Sequence, residues 1–293
     1  MTGPIQELLA RLEAEQYIAD PAIATSIYLA SALRRPLLIE GRAGVGKTEI
    51  ATVLARTLGT DLIRLQCYEG LDVATAVYEW NYPKQLLWIK LQEASGLSAE
   101  QKEQEIFSKP FLLERPLLAA LTRKDRAPVL LIDEVDRADE EFEAFLLEVL
   151  SEYQVTIPEI GTIKADQVPT VILTSNRSRD LSDALRRRCL YLWIDYPSFE
   201  KELRIVQTKV PGITEQLARH ICHFLQETRA AGLEKAPGIS ETLDWATAMV
   251  LMGHDHLDQD TAGRTLGCLI KDSEDQRRFD SGLLEELLAR VAS

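Results

Sequence analysis

The chain has no long hydrophobic run. No stretch approaches the roughly 20 consecutive apolar residues a helix needs to cross a bilayer, so a membrane span is not expected. Nor does it open on a secretory leader. "MTGPIQELLARLEAEQ" reads as an amphipathic helix carrying acids, and a cytoplasmic location is expected. Cysteine is scarce: Cys67, Cys189, Cys222 and Cys268 lie far apart with no CxxC, which suits reduced, mostly buried thiols rather than a disulfide framework. Positive charge is in deficit, with 33 Lys and Arg against 46 Asp and Glu and a net charge of -13. Neutralising a phosphate backbone needs a basic surface, so nucleic acid is not an expected partner, although one local basic patch remains compatible.

Apolar material is present in quantity. Hydrophobic residues make up 46% of 293, enough for a sizeable core in one large domain or two modest ones. Five apolar segments read as strands: Arg35 to Gly41, Asp61 to Cys67, Pro128 to Asp133, Pro169 to Asn176 and Cys189 to Ile194. Several are apolar on both faces, as in a parallel sheet covered by helices. Ile50, Val53, Leu54 and Leu58 form one helical stripe between them; Phe142, Phe145, Leu146, Val149 and Leu150 form another. The alternation predicts an α/β fold with a five-stranded parallel sheet.

"DYPSFEKE" (Asp195 to Glu202) marks a boundary, beyond which every periodic segment is helical. The expected division is an α/β domain over residues 1–196 and a helical lid over 197–293. Two segments read as insertions: an aromatic-rich one near 73–115, and "QVTIPEIGTIKAD" near 154–166, predicted as two short strands around a turn. Either is a place for partner contact or simply added structure.

"GRAGVGKT" matches GxxxxGK[ST] between a predicted strand and a predicted helix, the context this motif requires. Gly41, Arg42, Ala43, Gly44, Val45, Gly46, Lys47 and Thr48, continuing into Glu49, form the expected nucleotide-binding loop. The glycines let backbone N–H groups close around a phosphate chain. Lys47 is the group that reaches the β- and γ-phosphates of ATP, and Thr48 offers a hydroxyl to Mg²⁺. Downstream, "VLLIDEVDRAD" ends an apolar strand on Asp133 and Glu134. A carboxylate at that tip holds Mg²⁺ through its water shell, and Glu134 is placed to polarise a water for attack on the γ-phosphate. Asn176, ending "VILTSN", is placed to orient that water or touch the γ-phosphate.

In this order, phosphate loop, Asp-Glu strand, Asn-ending strand, arginines and helical lid, the chain resembles the AAA+ ATPases. The resemblance covers nearly its whole length. Within them it looks like the MoxR type, given the insert before "PVLLIDEVDRAD" and the hairpin segment before the Asn strand. "RDLSDALRRRCLYLWIDYP" and "PGISETLDW" look closest to the accessory ATPases of carbon monoxide dehydrogenase. The resemblance implies a ring, a hexamer, with ATP between neighbours. It also implies a partner carrying a von Willebrand factor A domain and a role in maturing a metalloenzyme such as a molybdenum hydroxylase.

The resemblance further implies an arginine supplied in trans. Arg188 aligns best, Arg187 is the near alternative, and Arg186 is free to pair with acids across an interface; the other possibility is cations that merely complement a helix C-terminus. Where relatives keep a sensor arginine, this chain has "GISETLDW", with Glu241 or Thr242 at the expected place and Arg264 the other basic candidate. Tyr17 and Ile18 are placed to line an adenine pocket or to pack. "HICH" (His220 to His223) is either a metal site or a helix with buried Cys222, and "HDH" (His254 to His256) reads as loop. The competing functions are a small-molecule P-loop kinase, which would need an acceptor site not found in the sequence, and a nucleic-acid-dependent ATPase, which the acidic charge disfavours.

Overall fold

The computed structural model describes residues 3–93 and 95–292. The strands are β1 (Leu37–Gly41), β2 (Leu62–Gln66), β3 (Tyr78–Trp80), β4 (Leu112–Glu114), β5 (Val129–Asp133), β6 (Gln154–Ile157), β7 (Gly161–Lys164), β8 (Thr170–Ser175) and β9 (Leu190–Ile194). Five form one sheet in the order β2-β5-β8-β1-β9, every pairing parallel. These are the five strands expected, trimmed at their starts. Pro36, Pro128 and Pro169 each directly precede a first paired residue, since proline has no N–H to give the ladder.

Chain direction fixes where a ligand can sit. From β1 the chain crosses to β2 at one edge; from β8 it crosses to β9 at the other. The connections therefore part at the carboxyl ends of β1 and β8, and that crevice is where open α/β sheets bind ligands.

The amino-terminal half carries α1 (Pro4–Ala14), α2 (Pro21–Leu33), α3 (Lys47–Leu58), α4 (Val73–Ala76), α5 (Tyr82–Leu91), α6 (Ala99–Ile106), α7 (Pro116–Leu121), α8 (Glu140–Glu152) and α9 (Asp183–Arg188). Alternate strand residues serve opposite layers, as a period of two requires. Leu37 and Ile39 pack with Ile23 and Ile27 of α2 and Ile50, Val53 and Leu54 of α3. Leu38 faces the other way, with Leu118 of α7 and Leu146 and Val149 of α8. Leu58, expected in the buried stripe, is instead exposed at the end of α3, beside the left-handed Gly59 that closes the helix.

The first insertion folds as α4, β3, α5, α6 and β4, with β3 and β4 antiparallel. Trp80 anchors it edge-on to Phe107, ring centroids 5.2 Å apart. The second is the expected pair of strands, β6 and β7, antiparallel and closed between Ile157 and Gly161.

Every element after β9 is helical among the described residues: α10 (Phe199–Lys209), α11 (Glu215–Ala230), α12 (Ile239–Leu251), α13 (Gln259–Thr265), α14 (Ser273–Arg278) and α15 (Leu284–Ala292), with short irregular turns. They enclose a separate core built on Val206, Phe224, Trp245, Met249 and Phe279. One ion pair is buried beside it: Arg229 grips Glu202 with both nitrogens, at 2.6 and 2.7 Å.

Candidate functional site

The loop after β1 has the backbone a phosphate cradle needs. A Cβ on Gly41 would lie 2.1 Å from the Ile194 carbonyl oxygen, so only glycine fits there. Gly44 and Gly46 hold φ of +73° and +88°, the left-handed region that side chains disfavour. Gly46 is the N-cap of α3, whose amino end adds positive potential to the loop. Lys47 is buried, and its ammonium donates to the carbonyls of Gly41 (2.9 Å) and Arg42 (2.6 Å). Burial holds its pKa below the ordinary lysine value, with Asp136, Asp133 and Glu134 pulling the other way.

The carboxylates stand at the tip of β5. Asp133 is buried and accepts from the Thr48 hydroxyl at 3.0 Å, from the Thr174 hydroxyl and from the Arg64 guanidinium. Thr48 and Asp133 thus present hard oxygen donors side by side, a set that suits magnesium, which keeps most of its waters. Glu134 follows in the left-handed region at φ +54°. The side-chain amide of Asn176 donates to its Oε1 at 3.2 Å, and that of Gln66 to its Oε2 at 3.1 Å. Arg137 lies 3.2 Å from Oε2 as well.

Asp136 is the buttress beneath. Burial pushes its carboxyl up, but the hydroxyl and N–H of Ser178 and the N–H of Asn176 hold it below the usual range. The loop carrying Asn176 is fixed from below by that carboxylate.

A single cavity is lined by Ala43, Gly44, Gly46, Lys47, Thr48, Glu49, Asp133, Glu134, Thr174, Asn176 and Ser240. It gathers residues from four separated stretches of chain that the motifs singled out. Gly41 does not line it. Arg42 points outside, 3.8 Å from Asp195 and 5.6 Å above the Tyr196 ring. An adjoining apolar pocket is lined by Tyr17, Ile18, Ile23, Val45, Ile194, Ile239 and Leu243, which places Tyr17 and Ile18 beside Val45 of the phosphate loop. Glu49 borders both cavities and is ion-paired with Lys209. Burial, then Glu49 and Asp20, push the Tyr17 hydroxyl up.

The three arginines of α9 have different surroundings. Arg186 turns inward to Glu40 of its own chain at 3.3 Å. Arg188 is exposed and donates to Ser151 (2.8 Å) and to the Ala184 carbonyl. Arg187 is exposed with no side-chain partner among the described residues. Arg35 clamps the end of the helix, donating to the carbonyls of Arg187, Arg188 and Cys189. None of the three lines the cavity of its own chain.

At the sensor position, Thr242 is buried and bonded to Glu202 and Arg229, while Glu241 caps α12 by accepting from Gly238 N–H. Arg264 pairs with Asp260 on its own helix. The α12 start instead meets the phosphate loop through backbone: Ile239 N–H donates to the Gly44 carbonyl at 2.7 Å. Cys222 is buried and His223 lies against Phe199; no group of three or more ligating side chains suited to a metal occurs among the described residues.

Gln66, Arg64, Thr174 and Ser240 were not singled out in the sequence. Gln66 had a signal, since a polar residue ending an apolar strand that pairs with β5 in register opposite Asp133 must lie beside the acids. Ser240 lies in the segment read for a sensor arginine, but which of its side chains faces the cavity depends on how α12 packs.

Fold and loop together define a P-loop nucleotide-binding protein. A family model described as AAA domain (dynein-related subfamily) matches residues 36–189, more than half of the chain, and the chain belongs to that family. This is the P-loop AAA+ fold, and the family implies ATPase activity. Among solved structures it is similar to a Thermotoga maritima RuvB Holliday junction branch migration motor (20% identity, 91% of this chain and 70% of that one, TM-score 0.48) and to a proline-to-glycine mutant of that protein (19%, 94% and 73%, 0.50). A putative ATPase from Cytophaga hutchinsonii matches at 18% identity over 97% of this chain and 93% of its own, TM-score 0.45. An uncharacterized protein of Staphylococcus epidermidis is 26% identical over 215 residues, 71% of this chain and 73% of its own. Among the described residues no helix is long and apolar enough to cross a membrane.

Proposed function

We propose that the chain hydrolyses ATP to ADP and phosphate, as one subunit of a ring, and spends the cycle remodelling a protein partner. The observation that carries the reading is Glu134, oriented by Asn176 and Gln66 in the cavity that also holds Lys47 and the Thr48–Asp133 pair. In this reading Lys47 leaves the Gly41 and Arg42 carbonyls for the β- and γ-phosphate oxygens. Glu134 takes a proton from the water that attacks the γ-phosphorus, while the bond from that phosphorus to the β–γ bridging oxygen breaks and ADP leaves. Asn176 holds Glu134 and the water in line. Thr48 and, through water, Asp133 would hold magnesium, which would supply neutralisation of phosphate charge.

Residues 1–196 then act as the nucleotide-binding domain and 197–293 as the lid. Arg188 or Arg187 reaches the neighbour's γ-phosphate; both are exposed and absent from their own site, as a group acting in trans must be. The insertions at 73–115 and 154–166 support the MoxR-type assignment, with a von Willebrand factor A domain partner and a metalloenzyme client, in a hexamer. The test is capture from the native host with Glu134→Gln, which holds ATP without cleaving it. Recovery of such a partner with a molybdenum enzyme is expected. Recovery of nucleic acid alone would overturn the remodelling role, and phosphate transferred to a small-molecule acceptor would make the protein a kinase.

A further inference from the structure

Glu40 is the last residue before the phosphate loop, and its side chain is 2% exposed. A buried carboxylate is costly unless it is paired and hydrogen-bonded. Here Oε2 gathers three groups: the Arg186 guanidinium at 3.3 Å, Arg177 at 3.8 Å and the Tyr191 hydroxyl, which donates at 3.1 Å. Arg186 and Arg177 also lie over the outward-facing rings of Tyr191 and Trp193 on β9, at 5.8 and 5.9 Å.

Arg177 gives the cluster its direction. It immediately follows Asn176 and holds φ at +58°, an uncommon conformation for a residue with a side chain. Its N–H is pinned to the Ser175 hydroxyl at 3.0 Å. The turn sends Asn176 to Glu134 and its neighbour Arg177 to Glu40. Arg186, on the same carboxylate, belongs to the helix that carries Arg187 and Arg188. Glu134 and Asn176 are joined by a hydrogen bond, Asn176 and Arg177 by the backbone, and Arg177 and Arg186 through ion pairs on Glu40, with Arg177 also 3.9 Å from Asp180; the series leads from the subunit's own ATP site to the helix that exposes Arg187 and Arg188.

The geometry points to Glu40 as a positioning residue that holds the α9 arginines in register with the phosphate loop of the same subunit, so that they complete the neighbouring site. This rests on the reading that those arginines act in trans. Arg35 fixes the backbone at the end of α9; Glu40 anchors that helix to β1 through the Arg186 side chain. A group displaced by about 1 Å from the reacting atoms costs on the order of 10²-fold in rate.

Subunit mixing tests it. Glu40→Gln keeps size and shape but removes the charge that gathers two guanidiniums. Alone it is expected to lose roughly 10²-fold in ATP hydrolysis, while its affinity for a fluorescent ATP analogue stays within about twofold of wild type. Mixed with Glu134→Gln, hydrolysis returns, because the second subunit offers correctly held arginines to the intact Glu40→Gln site. Tyr191→Phe removes one hydrogen bond at a half-exposed side chain and is expected to show a smaller loss with the same rescue. Wild-type rates in both variants, or lost nucleotide affinity in Glu40→Gln, overturn the proposal. Arg187→Ala/Arg188→Ala mixed with Glu134→Gln separates the two levels: rescue there but not with Glu40→Gln overturns the positioning role alone, and no rescue in either overturns the trans reading as well.

Discussion

Asn176 donates its side-chain amide to Oε1 of Glu134 at 3.2 Å, and Gln66 matches it on Oε2 at 3.1 Å. The carboxylate that must accept a proton is thus held from both sides by neutral amides, with the Arg137 guanidinium also 3.2 Å from Oε2. Asn176→Ala removes one holder and any contact to the attacking water; hydrolysis is expected to fall about 10²-fold. Gln66→Ala leaves Asn176 in place and is expected to change the rate less, with ATP affinity kept in both. Steady-state phosphate release with a parallel binding titration checks this.

Gly238 packs backbone to backbone on the phosphate loop. A Cβ there would lie 2.6 Å from Gly44 Cα. Gly238→Ala must part the α12 start from the loop and strain the Ile239–Gly44 hydrogen bond. Overpacking of this kind costs about 1–3 kcal/mol, and nucleotide affinity falls with it because Ile239 also lines the apolar pocket. Thermal unfolding with and without ATP measures both.

The Arg229–Glu202 pair joins α11 to α10, and Thr242 of α12 bonds to both members. Breaking a buried pair from one side strands a charge, at about 3–5 kcal/mol. Arg229→Met is expected to destabilise by that order, and Arg229→Met with Glu202→Leu to recover part of it. Denaturant unfolding of the two variants decides.

Asp136 has a folded pKa below its unfolded value, so its contribution is present above the unfolded pKa and is lost as pH falls through the folded one. Asp136→Asn therefore melts below wild type at neutral pH, and the gap narrows progressively as pH falls below about 4. A series of melting temperatures from pH 3 to 7 checks the sign.

Strands and phosphate loop were legible because their signals are local: apolar runs bounded by proline, and glycines forced by backbone shape at Gly41, Gly44 and Gly46. Asp133, Glu134 and Asn176 were legible because a parallel sheet brings strand ends to one edge. What escaped reading depends on packing between distant elements. Gln66 meets Glu134 only through the β2–β5 register, Gly238 meets Gly44 only once α12 is docked, and Glu40 looked like an ordinary strand residue until three side chains from 137 to 151 positions away converged on it. Leu58 shows the opposite error, where a helical stripe ran one turn past the core that buries it.

The central claim is that Glu134 is the base of an ATP-hydrolysing site. The direct measurement is phosphate release from ATP with magnesium, comparing wild type and Glu134→Gln, alongside binding of a fluorescent ATP analogue. The expected result is measurable turnover in the wild type, abolished by chelating magnesium, with a loss of about 10²- to 10⁴-fold in Glu134→Gln and binding preserved. Equal turnover in the two proteins, or no nucleotide bound by the wild type, would contradict it.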